Sequence, residues 1–157
     1  MDYALQVVQR WSHESADQTA ERAKAGEEQA PDPAEIRRMG TVLHAALPSL
    51  VKTDAPKGWR LTHAGSGARI AMQGDEFRIH VPRSHAVATA RTVWSDLWIV
   101  LRTLDAEGYA AYDPQLDRIL DMDRDQDAVV KEYVGSEHPP ERAPAVAAPS
   151  RPWWKFW

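Results

Sequence analysis

The sequence predicts a single α+β domain with an antiparallel sheet and two main helices on one face. Three observations predict it: the chain length, the order of strand-like and helix-like periodicities, and a change of composition near residue 135. The chain has 157 residues, the usual size of one domain. We assign residues 1–135 to this domain. Residues 136–157, with five prolines among small and charged residues, are assigned to a flexible Pro-rich linker and an aromatic tail.

The first half of the domain begins with a strand and contains one clear helix start. Residues 2–9 are short and partly β-branched, which predicts the first strand. Residues 12–30 lack large apolar side chains, so we expect a solvated loop or a loose surface helix there. Asp32 as a cap and Pro33 at the first helical position then predict a helix over 33–47.

Alternating segments follow this helix. Three of them predict strands: 59–63, 69–72 and 76–81. In the last one, Ile79 is expected to face the core, and Arg78 and His80 to face away from it. Residues 65–67 read as a turn between strands, because their glycine spacing does not match a phosphate-binding loop.

The strongest helical pattern covers residues 86–105. Its apolar stripe includes Trp94 and Trp98, which we expect to anchor the core. Residues 109–112 then predict a strand, and a short helix is expected around 126–133. This order suggests a ferredoxin-like α+β sandwich, with another α+β meander carrying its helices on one side as the alternative.

Charge and cysteine content exclude several functions. The 19 Lys and Arg against 23 Asp and Glu give a net charge of −4, which argues against nucleic-acid binding and suits a basic protein partner. The absence of cysteine excludes disulfides, thiolate catalysis and zinc–sulfur sites. No signal peptide is recognisable, and apolar runs fall short of the roughly 20 residues of a membrane helix. We therefore expect a cytoplasmic protein.

The acidic run that starts at Asp121 matches part of a calcium-binding loop. Carboxylates recur at alternate positions, and Glu132 falls at the twelfth. However, Gln126 stands where such a loop needs glycine, and Arg124 adds a positive charge. We expect the aspartates to precede and cap a short helix, with calcium binding as the alternative. No cofactor is predicted.

The sequence offers no catalytic constellation, so we expect no enzymatic activity. His80 and His85 are separated by Pro82, at which a strand ends. Ser84 and His85 are adjacent, and adjacent side chains seldom face each other as a nucleophile and its base must. We expect these histidines to be solvated.

An aromatic cluster lies beyond the Pro-rich linker. Exposed aromatic side chains are costly unless they dock on something, so we expect a contact with their own domain, with a protein partner or, third, with a membrane interface. The cluster comprises Trp153, Trp154, Phe156 and Trp157.

One short segment resembles known proteins. Tyr112-Asp113-Pro114-Gln115 follows Gly108 and the apolar helix, and this arrangement resembles a group of small bacterial proteins of unassigned role. Some of these are similar to immunity proteins of polymorphic or contact-dependent toxin systems. The resemblance covers residues 1–120 loosely and only the four-residue segment closely. It implies a non-enzymatic binder that neutralises a cognate toxin.

Two sets of residues are candidates for binding a protein partner. Toxin partners are often basic, and an acidic surface would steer and hold them. The acidic set is Asp113, Asp117, Asp121, Asp123, Asp125 and Asp127. The aromatic cluster of the tail is the second set, and it supports the alternative of an adaptor or assembly factor that docks through that tail.

Overall fold

The computed structural model describes residues 2–26, 31–83 and 87–137 and has an α+β architecture. Within these ranges, a single antiparallel sheet of seven strands is accompanied by four helices. The strands are β1 (Tyr3–Gln9), β2 (Leu50–Ala55), β3 (Gly58–His63), β4 (Arg69–Gln73), β5 (Glu76–Val81), β6 (Tyr109–Asp113) and β7 (Arg118–Ile119). The helices are α1 (Ala16–Ala25), α2 (Pro33–Ala46), α3 (Val87–Ala106) and α4 (Gln126–Glu137). The predicted α+β class and antiparallel sheet are confirmed.

The strand order is β2-β3-β4-β5-β1-β6-β7. Strands β2 to β5 form a consecutive antiparallel meander, and β1 then lies between β5 and β6. The first strand is therefore central in the sheet. Its apolar residues are buried on both faces because the main core covers Tyr3, Leu5 and Val7, whereas α1 covers Val8. A ferredoxin-like arrangement is not confirmed by this seven-stranded order.

The main core lies between one face of the sheet and the helices α2, α3 and α4. The predicted anchors Trp94 and Trp98 are both buried in it. The ring of Trp94 meets Tyr3 and Tyr133 edge-on, at centroid distances of 5.4 and 5.7 Å. Such edge contacts between aromatic rings add to the free energy of burying them. As predicted, Ile79 faces this core, and Arg78 and His80 lie on the opposite face of the sheet.

Helix α1 packs on the other face of the sheet. For this part of the chain, residues 12–30, we expected a solvated loop or a loose surface helix. Ala20 and Ala23 contact a small second core formed with β1 and β6. Ser15 caps the helix in a capping box with Gln18, and Gly26 ends it with a left-handed backbone. Capping and small apolar contacts thus replace the large side chains that the segment lacks.

Strand β2 was not predicted. Leu50 continued the helical spacing of α2 in the sequence, but it begins β2 because Pro48 ends the helix. As an edge strand, β2 leaves Lys52 and Asp54 exposed on its helix-facing side, so its apolar alternation is weak. The other predicted helices are present with slightly different ends.

Candidate binding surface

Within the residues that the structure describes, half of the outer face of the sheet is uncovered. Helix α1 contacts β1 and β7 on this side, and no other helix in the described residues packs against the outer face of β2 to β5. This uncovered half presents mainly polar side chains. They are Val51, Thr53, Arg60, Thr62, Arg69, Ala71, Gln73, Glu76, Arg78 and His80.

Three arginines lie together on this surface: Arg60, Arg69 and Arg78. We call the area that they form the arginine face. Arg60 and Arg78 flank Ala71 in one cross-strand row of β3, β4 and β5. Two strand spacings of about 4.8 Å therefore separate their backbones. Arg69 lies beside His80 in the adjacent row. Because Ala71 is small, the side chains around it enclose a depression of about 210 Å³.

The arginine face is only partly neutralised. Arg69 pairs with Asp2 at 2.8 Å, and Arg78 approaches Glu76 at 3.7 Å. Arg60 has no ion pair within the described residues. Exposed pairs of this kind contribute little to stability. The guanidinium groups therefore retain donors that an incoming carboxylate can use.

His80 lies within this positive environment. Burial lowers the pKa of its imidazole below the ordinary value, and the positive charges of Arg69 and Arg78 lower it further. Asp2 and Glu76 act in the opposite direction and only partly offset this effect. The surroundings of the ring therefore disfavour its protonated form, and Arg69 and Arg78 are the cations responsible.

Two of the six acidic candidates are buried. Asp113 is 0 % exposed and accepts a hydrogen bond from the hydroxyl of Tyr3. Asp125 accepts from Arg118 at 2.6 Å and from the backbone N–H of Asp121 at 2.7 Å. Both carboxylates therefore hold the protein together from within, and neither presents charge to a partner in this structure.

The other four acidic candidates lie at the surface. Asp117 is engaged by Lys24 at 2.8 Å and by the hydroxyl of Tyr112 at 2.7 Å. The remaining three, Asp121, Asp123 and Asp127, lie around the start of α4, and the side chain of Asp123 is 84 % exposed. In the described part of the chain, no cluster of carboxylates or histidines is arranged to hold a metal ion. The aromatic candidates Trp153, Trp154, Phe156 and Trp157 lie outside the described residues, as do Ser84 and His85.

The Tyr112-Asp113-Pro114-Gln115 segment covers the end of β6 and the start of the turn to β7. Asp113 Oδ1 accepts the backbone N–H groups of Gln115 at 2.8 Å and Leu116 at 3.2 Å. With its amide nitrogen turned inward, the Gln115 side chain donates to the same oxygen and to the carbonyl of Ala4. The segment thus ties the turn to the first strand, which is a structural use of the Asp113 carboxylate and the Gln115 amide.

One serine, histidine and aspartate approach each other elsewhere. His63 Nδ1 lies 2.8 Å from Ser66 Oγ, and His63 Nε2 lies 3.3 Å from Asp96. However, Ser66 is only 5 % exposed, and its Oγ also accepts the backbone N–H of Ala68. The N–H groups of Ser66 and Gly67 both donate to the carbonyl of His63, so they are not free to stabilise an oxyanion. We interpret the arrangement as a link between the β3–β4 turn and α3.

The sequence contained part of the signal for the arginine face. The alternation predicts that Arg78 and His80 face away from the core. It does not predict that Arg60 and Arg69 lie beside them on the same surface. Each of these two arginines also occupies an outward position in an alternating strand. Only the register between strands shows that the positions meet around one small residue.

The described residues define an α+β protein in which half of one face of the sheet is uncovered. No protein-family model, no curated protein and no solved structure matches the chain significantly. Among the helices of the described residues, none has the length and apolar character needed to cross a membrane. The geometry and charge of the surface are therefore the observations from which we infer a function.

Proposed function

We propose that this chain is a non-enzymatic binding protein that holds an acidic protein segment on the arginine face. The observation that carries the proposal is the convergence of three guanidinium groups from adjacent strands around Ala71. A planar guanidinium can hold a carboxylate through two parallel hydrogen bonds, so arginine favours this type of partner. An uncovered sheet face also offers a rigid platform that needs little reorganisation on binding.

The charge pattern supports a carboxylate-bearing segment over a nucleic acid. Asp2 and Glu76 lie among the arginines, and a continuous phosphate backbone would meet these carboxylates. The chain also has a net charge of −4, whereas nucleic-acid binding relies on a basic surface. A short acidic segment needs only the local positive patch around Arg60.

The test compares charge reversals with equal total charge. A partner captured from the organism of origin is purified and titrated against the wild type, Arg60→Glu/Arg78→Glu and Arg91→Glu/Arg124→Glu. We expect the first double variant to weaken binding at least about tenfold, and added salt to weaken wild-type binding. The control arginines are exposed and lie away from the arginine face. Equal effects of both double variants would contradict the proposal.

An immunity protein that neutralises a basic toxin is the second candidate. The exposed Asp121, Asp123 and Asp127 near the start of α4 favour a basic partner. In this form, Asp123→Lys/Asp127→Lys would abolish toxin binding and the protection of cells that express the toxin. The Arg60→Glu/Arg78→Glu variant would leave both intact. Comparison of the Arg60→Glu/Arg78→Glu and Asp123→Lys/Asp127→Lys variants therefore separates the two candidates.

A further inference from the structure

A groove lies on the helix-covered side of the sheet, at the end where α2 begins. It is bounded by the first turn of α2, the edge strand β2 and the turn that joins β2 to β3. Its volume is about 460 Å³, within the range of about 300–1,000 Å³ that small-molecule sites occupy. The apolar part of its lining comes from Pro31, Pro33, Ile36 and Trp59.

The apolar wall of the groove is rigid. The indole Nε1 of Trp59 donates to the carbonyl of Ile36 at 2.5 Å, which fixes the ring against α2. Gly40 allows this contact, because a Cβ there would lie 2.9 Å from the same ring. A ligand would therefore meet a preformed surface and would not have to order it.

The rim of the groove carries unmatched positive charge. Arg37, Lys52 and Lys57 line it, and none of the three has an ion pair within the described residues. Among the described residues that line the groove, Asp54 is the single carboxylate. This described part of the rim thus has an excess of two positive charges beside an apolar wall.

We propose that this groove binds a small amphipathic carboxylate. The apolar chain or ring packs against this wall, whose more exposed part is Pro31 and Pro33, because Trp59 and Ile36 are 2 % and 7 % exposed. The carboxylate is held by the cations of the rim. A neutral ligand would leave these cations without a partner, and a small polar anion such as phosphate would leave the apolar wall unused. The groove and the arginine face lie on opposite faces of the sheet, so this proposal is independent of the proposed function.

The test titrates the full-length chain with two matched probes, 3-phenylpropanoate and 3-phenylpropanamide. Binding is measured by calorimetry and by the NMR signal of the Trp59 indole N–H. We expect saturable binding of the carboxylate, a shift of that signal, and about tenfold weaker binding of the amide. Equal affinities for the two probes, no saturation, or shifts confined to other residues would overturn the proposal.

Two double variants identify the charges that hold the carboxylate. Lys52→Gln/Lys57→Gln should weaken binding of 3-phenylpropanoate about tenfold and leave the amide unaffected. The control, Arg91→Gln/Lys131→Gln, removes two exposed cations that do not line the groove and should change neither affinity. All four positions are at the surface, and equal thermal midpoints verify that each variant is folded. Equal loss in both double variants would also overturn the proposal.

Discussion

The hydroxyl of Tyr3, at the start of the first strand, donates a hydrogen bond to the buried carboxylate of Asp113. The other oxygen of that carboxylate accepts the backbone N–H groups of Gln115 and Leu116. Burial raises the pKa of Asp113, although these hydrogen bonds oppose the shift, and the negative charge of Glu132 raises it further. One side chain therefore connects β1 to the β6–β7 turn at an electrostatic cost that depends on pH.

The first prediction concerns this pH dependence. Because the folded pKa of Asp113 is raised, the folded state takes up its proton more readily than the unfolded state, whose pKa is about 3.9. The contribution of Asp113 to stability is therefore complete below about pH 3.9 and decreases as the pH rises through the folded value. Asp113→Asn does not titrate, so the stability advantage of the wild type over this variant should shrink from pH 4 towards pH 8. Urea unfolding at several pH values measures it.

The variant also loses acceptor capacity. Asparagine has one carbonyl oxygen to serve Tyr3 and two backbone N–H groups, so Asp113→Asn should destabilise the protein by about 1–3 kcal/mol. Asp127→Asn changes an exposed carboxylate outside this network, and its effect should stay within about 0.5 kcal/mol. A wild-type advantage that grows with pH would show that Asp113 is stabilised in its ionised form.

The second prediction uses two glycines with opposite surroundings. A Cβ at Gly58 would lie 1.9 Å from the carbonyl oxygen of Met72 in the neighbouring strand, whereas a Cβ at Gly135 meets nothing within 4 Å. Gly58→Ala should therefore destabilise the protein by about 3 kcal/mol or more, because a backbone must move. Gly135→Ala lies in α4 and should stabilise it by about 0.5–1 kcal/mol through helix propensity. Denaturant unfolding of both variants measures the two signs, and a mild effect of Gly58→Ala would show that β3 and β4 can separate there.

Elements with a strong internal period could be predicted from the sequence. Helix α3 and strand β5 are each buried on one face, which gives α3 an apolar stripe and β5 an alternating pattern. Both elements and their core residues could therefore be predicted. Among the described strands, β2 has a single neighbour, and its weak alternation does not predict a strand. Helix α1 depends on caps and on a buried arginine, which carry no hydrophobic period.

The candidate site was less accessible to sequence reasoning because it depends on long-range contacts. The carboxylates of Asp113 and Asp123 are equivalent in a sequence, yet one is buried under Tyr3 and the other is almost fully exposed. Similarly, the arginine face requires the register of three strands. Alternation shows which side of a strand a residue occupies, but it does not show which residue stands beside it.

The third prediction concerns the buried arginine of α1. Arg22 stacks on the ring of Trp11 at 3.8 Å and donates to both carboxylate oxygens of Glu14 and to the carbonyl of Gln9. Arg22→Lys keeps the charge but loses the planar fork, so fewer of these contacts can form at once. We expect faster amide hydrogen exchange throughout α1, with exchange in the central strand β1 changed much less.

Arg10→Lys provides the matched control for this third prediction. Arg10 pairs with Asp105 at 2.7 Å, and both side chains are exposed, so the same replacement should leave exchange in α1 unchanged. If both variants accelerated exchange equally, the buried contacts of Arg22 would not be what fixes α1 to the sheet.

The fourth prediction links the proposed function to pH through His80. Its pKa is lowered in the free protein by burial and by Arg69 and Arg78. A bound acidic segment would bring carboxylates beside the ring and favour its protonated form, so binding should take up a proton. The affinity for that partner should therefore increase as the pH falls from about 7.5 towards the ordinary histidine value of about 6.5. Calorimetry at several pH values measures the affinity, and the NMR signals of the ring report its protonation.

The control for this fourth prediction is His80→Gln. Glutamine does not titrate in this range, so the variant should bind the partner with an affinity that varies little between the same pH values. The ring of His63 lies on the core side of the sheet, so its NMR signals should not respond to the partner. The contrary outcome is that the NMR signals show His80 of the free protein becoming protonated in this pH range while the affinity of the wild type stays constant. In that case the acidic segment would bind away from the row of Arg69 and His80. The arginine face would then be limited to Arg60 and Arg78, which the charge-reversal variant tests separately.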